Sequence, residues 1–151
     1  MSGMPSLPAR GGARAQSFLA FDYGSRRVGV AAGNALTGTA QPLASIAAAG
    51  DARWAAIGRL IAAWRPDALV IGVPFHPDGA ENENTRRART FGRRLHGRFG
   101  LPVHEVDERY TSVEARAAGA ADVDAAAAAL ILEQFLRAQR AAAPQAAHAA
   151  A

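Results

Sequence analysis

The chain reads as an α/β domain built on a mixed sheet, and three features of the sequence predict this. Two short apolar runs, FLAFD (18–22) and VGVAA (28–32), flank a tight turn at 24–27, the pattern of an antiparallel pair. Further on, apolar runs alternate with segments of helical period. One of those runs, ALVIGVP (68–74), is almost continuously apolar, as strands buried on both faces are. A leading meander followed by alternating helix and strand gives a mixed sheet with helices over its faces.

Each remaining element has its own local reason. A third strand is expected near 38–46, and its Pro42 predicts an edge position, because proline cannot donate to the ladder. Asp51 is expected to cap a helix running to about 64, with Ile57, Leu60, Ile61 and Trp64 on its apolar face. After the polar loop FHPDGAENEN (75–84), a helix from about 85 to 98 carries the stripe Ala88, Phe91, Leu95 and Phe99. Gly100 stops it, and LPVHEVDE (101–108) reads as another strand. Thr111 or Ser112 is expected to cap a short helix to Arg116, and a last helix runs from about 123 to 137. Residues 1–16 read as a disordered leader, 17–138 as the domain, and 139–151 as a disordered Ala-rich tail.

Composition narrows the chemistry. A chain of 151 residues can bury a substantial core. It contains no cysteine, which excludes disulfides and thiolate metal sites and fits a cytoplasmic location. The longest apolar run, AAAAALIL (125–132), is too short to span a bilayer, so no membrane partner is expected. Net charge is +4, and all 17 basic residues are arginine. Six of them, Arg86, Arg87, Arg89, Arg93, Arg94 and Arg98, fall on the helix at 85–98, where guanidinium groups suit phosphate. A solvated amphipathic surface explains any one of them equally well.

The acids are more telling. Asp22 ends the first strand, and Asp107 and Glu108 end the last. Asp124 lies in the first turn of the final helix, on the side of Ala128, Ile131 and Phe135, so it faces the sheet; Asp122 is the better N-cap. Singly, each acid has an ordinary role as turn residue, ion-pair partner or dipole complement. Together they converge on one rim if the first and last strands are near neighbours. Carboxylates gathered that closely repel one another unless a cation lies between them. Oxygen ligands alone favour Mg²⁺ or Mn²⁺, and ions of this kind, singly or as a pair about 4 Å apart, suit phosphodiester hydrolysis. The histidines at 76, 96, 104 and 148 show no metal-ligand spacing.

Five blocks, FLAFDYGSRRVGVA, TGTAQPL, VIGVPFHPDG, VDERYTSVEAR and DVDAAAAALILEQFL, occur in the order of the YqgF/RuvX family, and the chain resembles that family over about residues 17–138. The resemblance implies an RNase H-like fold, a five-stranded mixed sheet with its first three strands antiparallel and helices on both faces. It implies a metal-dependent endonuclease acting in 5′-end maturation of precursor 16S rRNA, with Holliday junction resolution as the alternative. By position, the family's catalytic and metal-binding acids are Asp22, Glu108 and Asp124, with Asp107 an outside candidate. Arg109 of the D-E-R motif joins the arginines of the basic helix as a nucleic-acid contact. The implied partners are nucleic acid, either precursor rRNA or branched DNA, and a second copy of the chain in a homodimer. Only AAGAA (117–121) separates the fourth block from the fifth, shorter than in many members, which bears on any nucleic-acid or dimer contact made there.

Two other readings compete. FDYGS (21–25) also resembles the first phosphate loop of the actin and sugar-kinase superfamily, but those proteins enclose nucleotide between two such domains. A non-catalytic RNA-binding ribosome-assembly factor is the other rival, since fold alone does not establish chemistry.

Overall fold

The computed structural model describes residues 15–108 and 116–150, with side chains through 142 in the last helix. Its elements are β1 (Ser17–Tyr23), β2 (Val28–Asn34), β3 (Thr39–Ile46), α1 (Gly50–Trp64), β4 (Ala68–Val73), α2 (Glu83–Phe99), β5 (Val103–Asp107) and α3 (Val123–Ala150). The five strands form one sheet in the order β3-β2-β1-β4-β5. β1 pairs antiparallel with β2, and β2 with β3. β4 joins β1 in parallel, and β5 joins β4 in parallel. This is the expected mixed sheet with its first three strands antiparallel.

Alternation along the strands divides the core into two layers. Leu19, Phe21, Leu69 and Ile71 pack with Ile57 of α1 and with Phe91 and Leu95 of α2. Phe18, Ala20, Ala68 and Val70 face the other way, against Ile131, Leu132 and Leu136 of α3. So β1 and β4 are covered on both sides, which is why they read as continuous apolar runs. β3 is an edge strand, as Pro42 predicts; its register slips between Val30 and Ala31, where Pro42 pairs with Ala31.

Helix boundaries are where the structure departs from the sequence reading. α1 starts at Gly50 after an Ala49 N-cap that makes no side-chain cap bond, so Asp51 sits in the first turn rather than capping it. Trp64, expected on the apolar face, is 43% exposed because it lies at the helix end, beyond the sheet. α2 begins two residues earlier than expected, through a capping box. The Asn82 side chain accepts from Thr85 N–H (2.9 Å), while Thr85 Oγ1 accepts from Asn82 N–H (3.0 Å). The fully buried Thr85 hydroxyl also donates to the Pro74 carbonyl. Thr85→Ala leaves that carbonyl and the Asn82 amide without partners and is expected to cost about 1–2 kcal/mol in urea unfolding. As expected, Gly100 ends α2, at φ 69°, and Asp122 caps α3 by accepting from Ala125 N–H (3.0 Å).

α3 continues to Ala150, past the boundary near 137, so the tail at 139–150, expected to be disordered, is helical. Its alanines, the strongest helix formers, account for this. The short helix expected from Thr111 or Ser112 falls largely outside the described residues, as does the leader through residue 14. Gln16 is already ordered, its N–H donating to the Asp67 carboxylate (2.8 Å). Among the described residues no helix is long and apolar enough to cross a membrane.

Gly97 sits in the α2 interior with nothing within 4 Å of where a Cβ would lie. Gly97→Ala therefore removes backbone entropy from the unfolded chain without a clash. It is expected to stabilise by roughly 0.5–1 kcal/mol in thermal unfolding.

Candidate active site

Asp22 is the last inward-alternating residue of β1 on the α3 side, following Phe18 and Ala20. On one flank it pairs in register with Gly29 of β2. On the other, the parallel register reaches Phe21↔Ile71, so Gly72 of β4 lies one step on, beside Asp22. Asp22 thus stands between two glycines whose missing side chains would share its face.

Both gaps are filled by the other predicted acids. A Cβ on Gly29 would lie 1.9 Å from the Asp124 carbonyl oxygen, so the first turn of α3 rests directly on the β2 backbone. A Cβ on Gly72 would lie 2.3 Å from Glu108 Oε2. Glu108 follows β5 and is held there by its N–H donating to the Val73 carbonyl (3.0 Å). Neighbouring strands are about 4.8 Å apart, so the Glu108 carboxylate leans over β4 toward Asp22. Asp22, Glu108 and the start of α3 therefore share one face at one end of the sheet. That end is where the parallel strands β1, β4 and β5 have their carboxyl termini, the usual ligand side of an open α/β sheet.

The Asp124 carboxylate has its own partners. Its Oδ2 accepts from Arg27 Nε (2.7 Å) and from the Ser45 hydroxyl (2.9 Å). Ser45 pairs with Gly29 in the β2·β3 register, so the same transverse row of the sheet that carries Asp22 also carries the Asp124 contact. Among the described residues no three or more His, Asp or Glu side chains are gathered into a group that could hold a metal ion as they stand. Asp107 is separated from the other acids by alternation, because Val106 before it belongs to the α3-side core and the next side chain turns to the α2 face. Arg109 lies outside the described residues.

The arginine helix occupies the opposite layer. α2 packs on the sheet face away from Asp22, although its N-terminus, leading out of β4, is at the same end. Half of its arginines are paired with carboxylates: Arg86 and Arg87 with Glu83 (both 3.1 Å), and Arg89 with Glu81 (2.7 Å) and Glu105 (3.2 Å). The hydrogen bond from Arg86, helped by the charge of Arg87, holds the Glu83 carboxyl below its ordinary range. Arg98 covers the Trp54 ring at 4.5 Å. Arg93 donates to the Thr90 hydroxyl (3.0 Å). Exposed pairs of this kind contribute little to stability, so phosphate can displace them at small cost.

The sequence reading did not assign Gly29, Gly72, Arg27 or Ser45. The two glycines had a visible signal, since VGV and IGV each interrupt an apolar strand, and such glycines mark close approach of another group. Arg27 and Ser45 had none, because their role depends on where α3 lands.

Comparison with known proteins identifies the family of the chain. A family model described as "RuvX: Holliday junction resolvase" matches residues 16–138. A protein of Polaromonas sp. named "Putative pre-16S rRNA nuclease" is 66% identical over 122 residues, covering 81% of this chain and 88% of its own. A relative of the same name from Albidiferax ferrireducens is 61% identical over 130 residues, covering 86% and 83%. Among solved structures, T. thermophilus RuvC in complex with a Holliday junction substrate superposes with TM-score 0.53 at 15% identity, covering 83% of this chain and 96% of that one. At that identity the likeness is one of fold, the RNase H-like α/β arrangement. With residues 16–138 matched, well over half of its length, the chain belongs to the RuvX family.

Proposed function

We propose that this protein is a metal-dependent endonuclease that hydrolyses phosphodiester bonds in precursor 16S rRNA, toward maturation of its 5′ end. The supporting observation is the row at the carboxyl end of the sheet. Asp22 lies between two glycines, one making room for Glu108 and the other for the helix turn that bears Asp124. The kinship with proteins named as pre-16S rRNA nucleases points the same way.

The donor set suits Mg²⁺ or Mn²⁺, being hard carboxylate oxygens with no thiolate in the chain. Asp22, Glu108 and Asp124 would hold the ion. Such an ion supplies Lewis acidity toward a phosphoryl oxygen and a more acidic water. Asp22 contributes from the end of β1, where its backbone is held by pairing with Gly29 of β2. Arg27, which donates to Asp124 through Nε and is otherwise exposed, offers a positive charge to the phosphate at the same rim.

Cleavage of precursor 16S rRNA and of a four-way DNA junction, each with Mn²⁺ or with chelator, tests this. Incision of the RNA only, and only with metal, is expected. Branched DNA requires paired incisions and therefore two copies of the site. Junction cleavage by a homodimer seen in light scattering would favour the resolvase reading suggested by the family's description. Tight RNA binding without cleavage under any condition would favour an assembly factor.

The exposed arginines of α2 are proposed to contact the nucleic-acid backbone. Arg93→Glu combined with Arg94→Glu is expected to lower the slope of log affinity against log salt by about 1–2 while leaving the circular dichroism spectrum unchanged. An unaltered slope would make this helix a solvated surface and nothing more.

A further inference from the structure

Across the sheet from Asp22 lies a cavity of about 380 Å³, between α1 and α2, with Tyr23 of β1, Arg53 and Trp54 of α1, and Arg86, Arg87 and Arg94 of α2 in its wall. Among the described residues its lining has four arginines and one acid, Glu83. Its apolar side is a continuous aromatic group, since the Phe91 ring lies 5.0 Å from Tyr23 and 5.5 Å from Trp54.

Arg53 is the residue that calls for a ligand. It is only 7% exposed, yet among the described residues its hydrogen-bond partners are neutral carbonyls, Ala48 O (2.9 Å from Nε) and Ser25 O (3.1 Å from Nη2), and its further contact is the Tyr23 ring, 6.0 Å away. A guanidinium has five N–H donors, and those two bonds engage two of them. Among the described residues no carboxylate is in ion-pair distance of it. Buried charge is ordinarily matched by an opposite charge, and here the open side of Arg53 is the cavity.

We infer that this cavity is an anion subsite that takes one nucleotide of the substrate strand beyond the scissile phosphate. Its phosphate lies among Arg53, Arg87 and Arg94, and its base against the Tyr23–Phe91–Trp54 group. Aromatic surface beside a cationic groove is the combination that holds single-stranded nucleic acid without sequence preference. Position supports the same source. Tyr23 adjoins Asp22 in β1 but faces the other way, so the two places lie on opposite faces of the same strand end. Arg53 also grips Ser25 in the β1–β2 turn, the turn that carries Arg27 to Asp124. A strand rounding the tip of β1 meets both places. The inference rests on the nuclease reading for its choice of strand, and its test is independent of cleavage.

Trp54 lines the cavity while Trp64, the other tryptophan, is at the far end of α1. In a Trp64→Phe background, Trp54 emission therefore reports occupancy. Uridine 5′-monophosphate, uridine, and a short oligoribonucleotide are titrated into the full chain with chelator present. The expected result is a saturable change with the monophosphate, weaker binding of uridine, and tighter binding of the oligonucleotide. Arg94→Glu is expected to weaken the monophosphate about tenfold. Arg53→Gln should do the same, and if it fails to fold, the exposed Arg94→Glu carries the comparison. No saturable response, or one unmoved by Arg94→Glu, overturns the subsite. Equal displacement by poly-glutamate overturns its assignment to a nucleotide. An oligonucleotide no tighter than the monophosphate overturns its assignment to the strand. Asp22→Asn leaves these titrations unchanged if the two sites are distinct, so the subsite and the nuclease reading can fail separately.

Discussion

Asp22→Asn is expected to remain folded and to lose more than about 100-fold in cleavage of precursor 16S rRNA. Removing even an outer partner of a metal ligand typically costs 10–100-fold, and this change alters the oxygen proposed to hold the ion and removes its charge. The fold should survive because Asp22 is at the end of β1, where its backbone pairs with Gly29 whatever the side chain. Asn has the same shape and keeps one carbonyl oxygen. The comparison is made at saturating Mn²⁺ with circular dichroism run in parallel. Wild-type cleavage by a folded Asp22→Asn protein would remove Asp22 from the chemistry.

Gly29→Ala is expected to be the more damaging structural change. The new methyl would meet the Asp124 carbonyl oxygen at 1.9 Å and its carbon at 2.3 Å, both main-chain atoms of a packed helix. Neither can rotate away, so α3 or β2 must shift. Overpacking of this sort costs about 1–3 kcal/mol, and with backbone on both sides the upper figure applies. For a chain of this length that lowers Tm by roughly 10 °C. Activity falls as well, since the helix that would move carries Asp124. Gly72→Ala makes the instructive contrast. Its methyl meets Glu108 Oε2 at 2.3 Å and Ile131 Cδ1 at 2.7 Å, the ends of two flexible side chains. Stability should fall less, about 1–2 kcal/mol, while cleavage falls sharply because Glu108 is pushed off its place. Equal Tm losses for the two variants would refute the distinction between helix backbone and movable side chain.

Where local chemistry decides a feature, the sequence was a good guide. The strands announced themselves by apolar run length, the edge position of β3 by Pro42, the end of α2 by Gly100, and the start of α3 by Asp122. Asp124 was correctly assigned to the sheet side by its phase with Ala128 and Ile131, both fully buried. Errors arose where competing local signals were close in strength. Asp51 is a good cap residue, yet the chain enters α1 through a glycine at φ 60°, and Ala49 takes the cap position. Alanine-rich composition suggested a loose tail, whereas alanine's own propensity carries α3 on to Ala150. The sheet layer occupied by the arginines could not be read from their number, because helical phase says which residues face inward and not which face of the sheet receives the helix. The same limit hid Arg53. It is buried against Tyr23 and the β1–β2 turn, whose approach no local pattern announces.

The Arg27–Asp124–Ser45 contact has a bearing on folding. With Oδ2 already engaged by a guanidinium and a hydroxyl, the negative charge at the head of α3 is compensated from within the chain. Small domains that draw their folding free energy from a structural ion unfold when stripped of it. Here, if the proposed metal dependence holds, chelation is expected to abolish cleavage while scarcely moving the melting temperature, and the stripped protein is expected to keep its fold and regain activity on reloading.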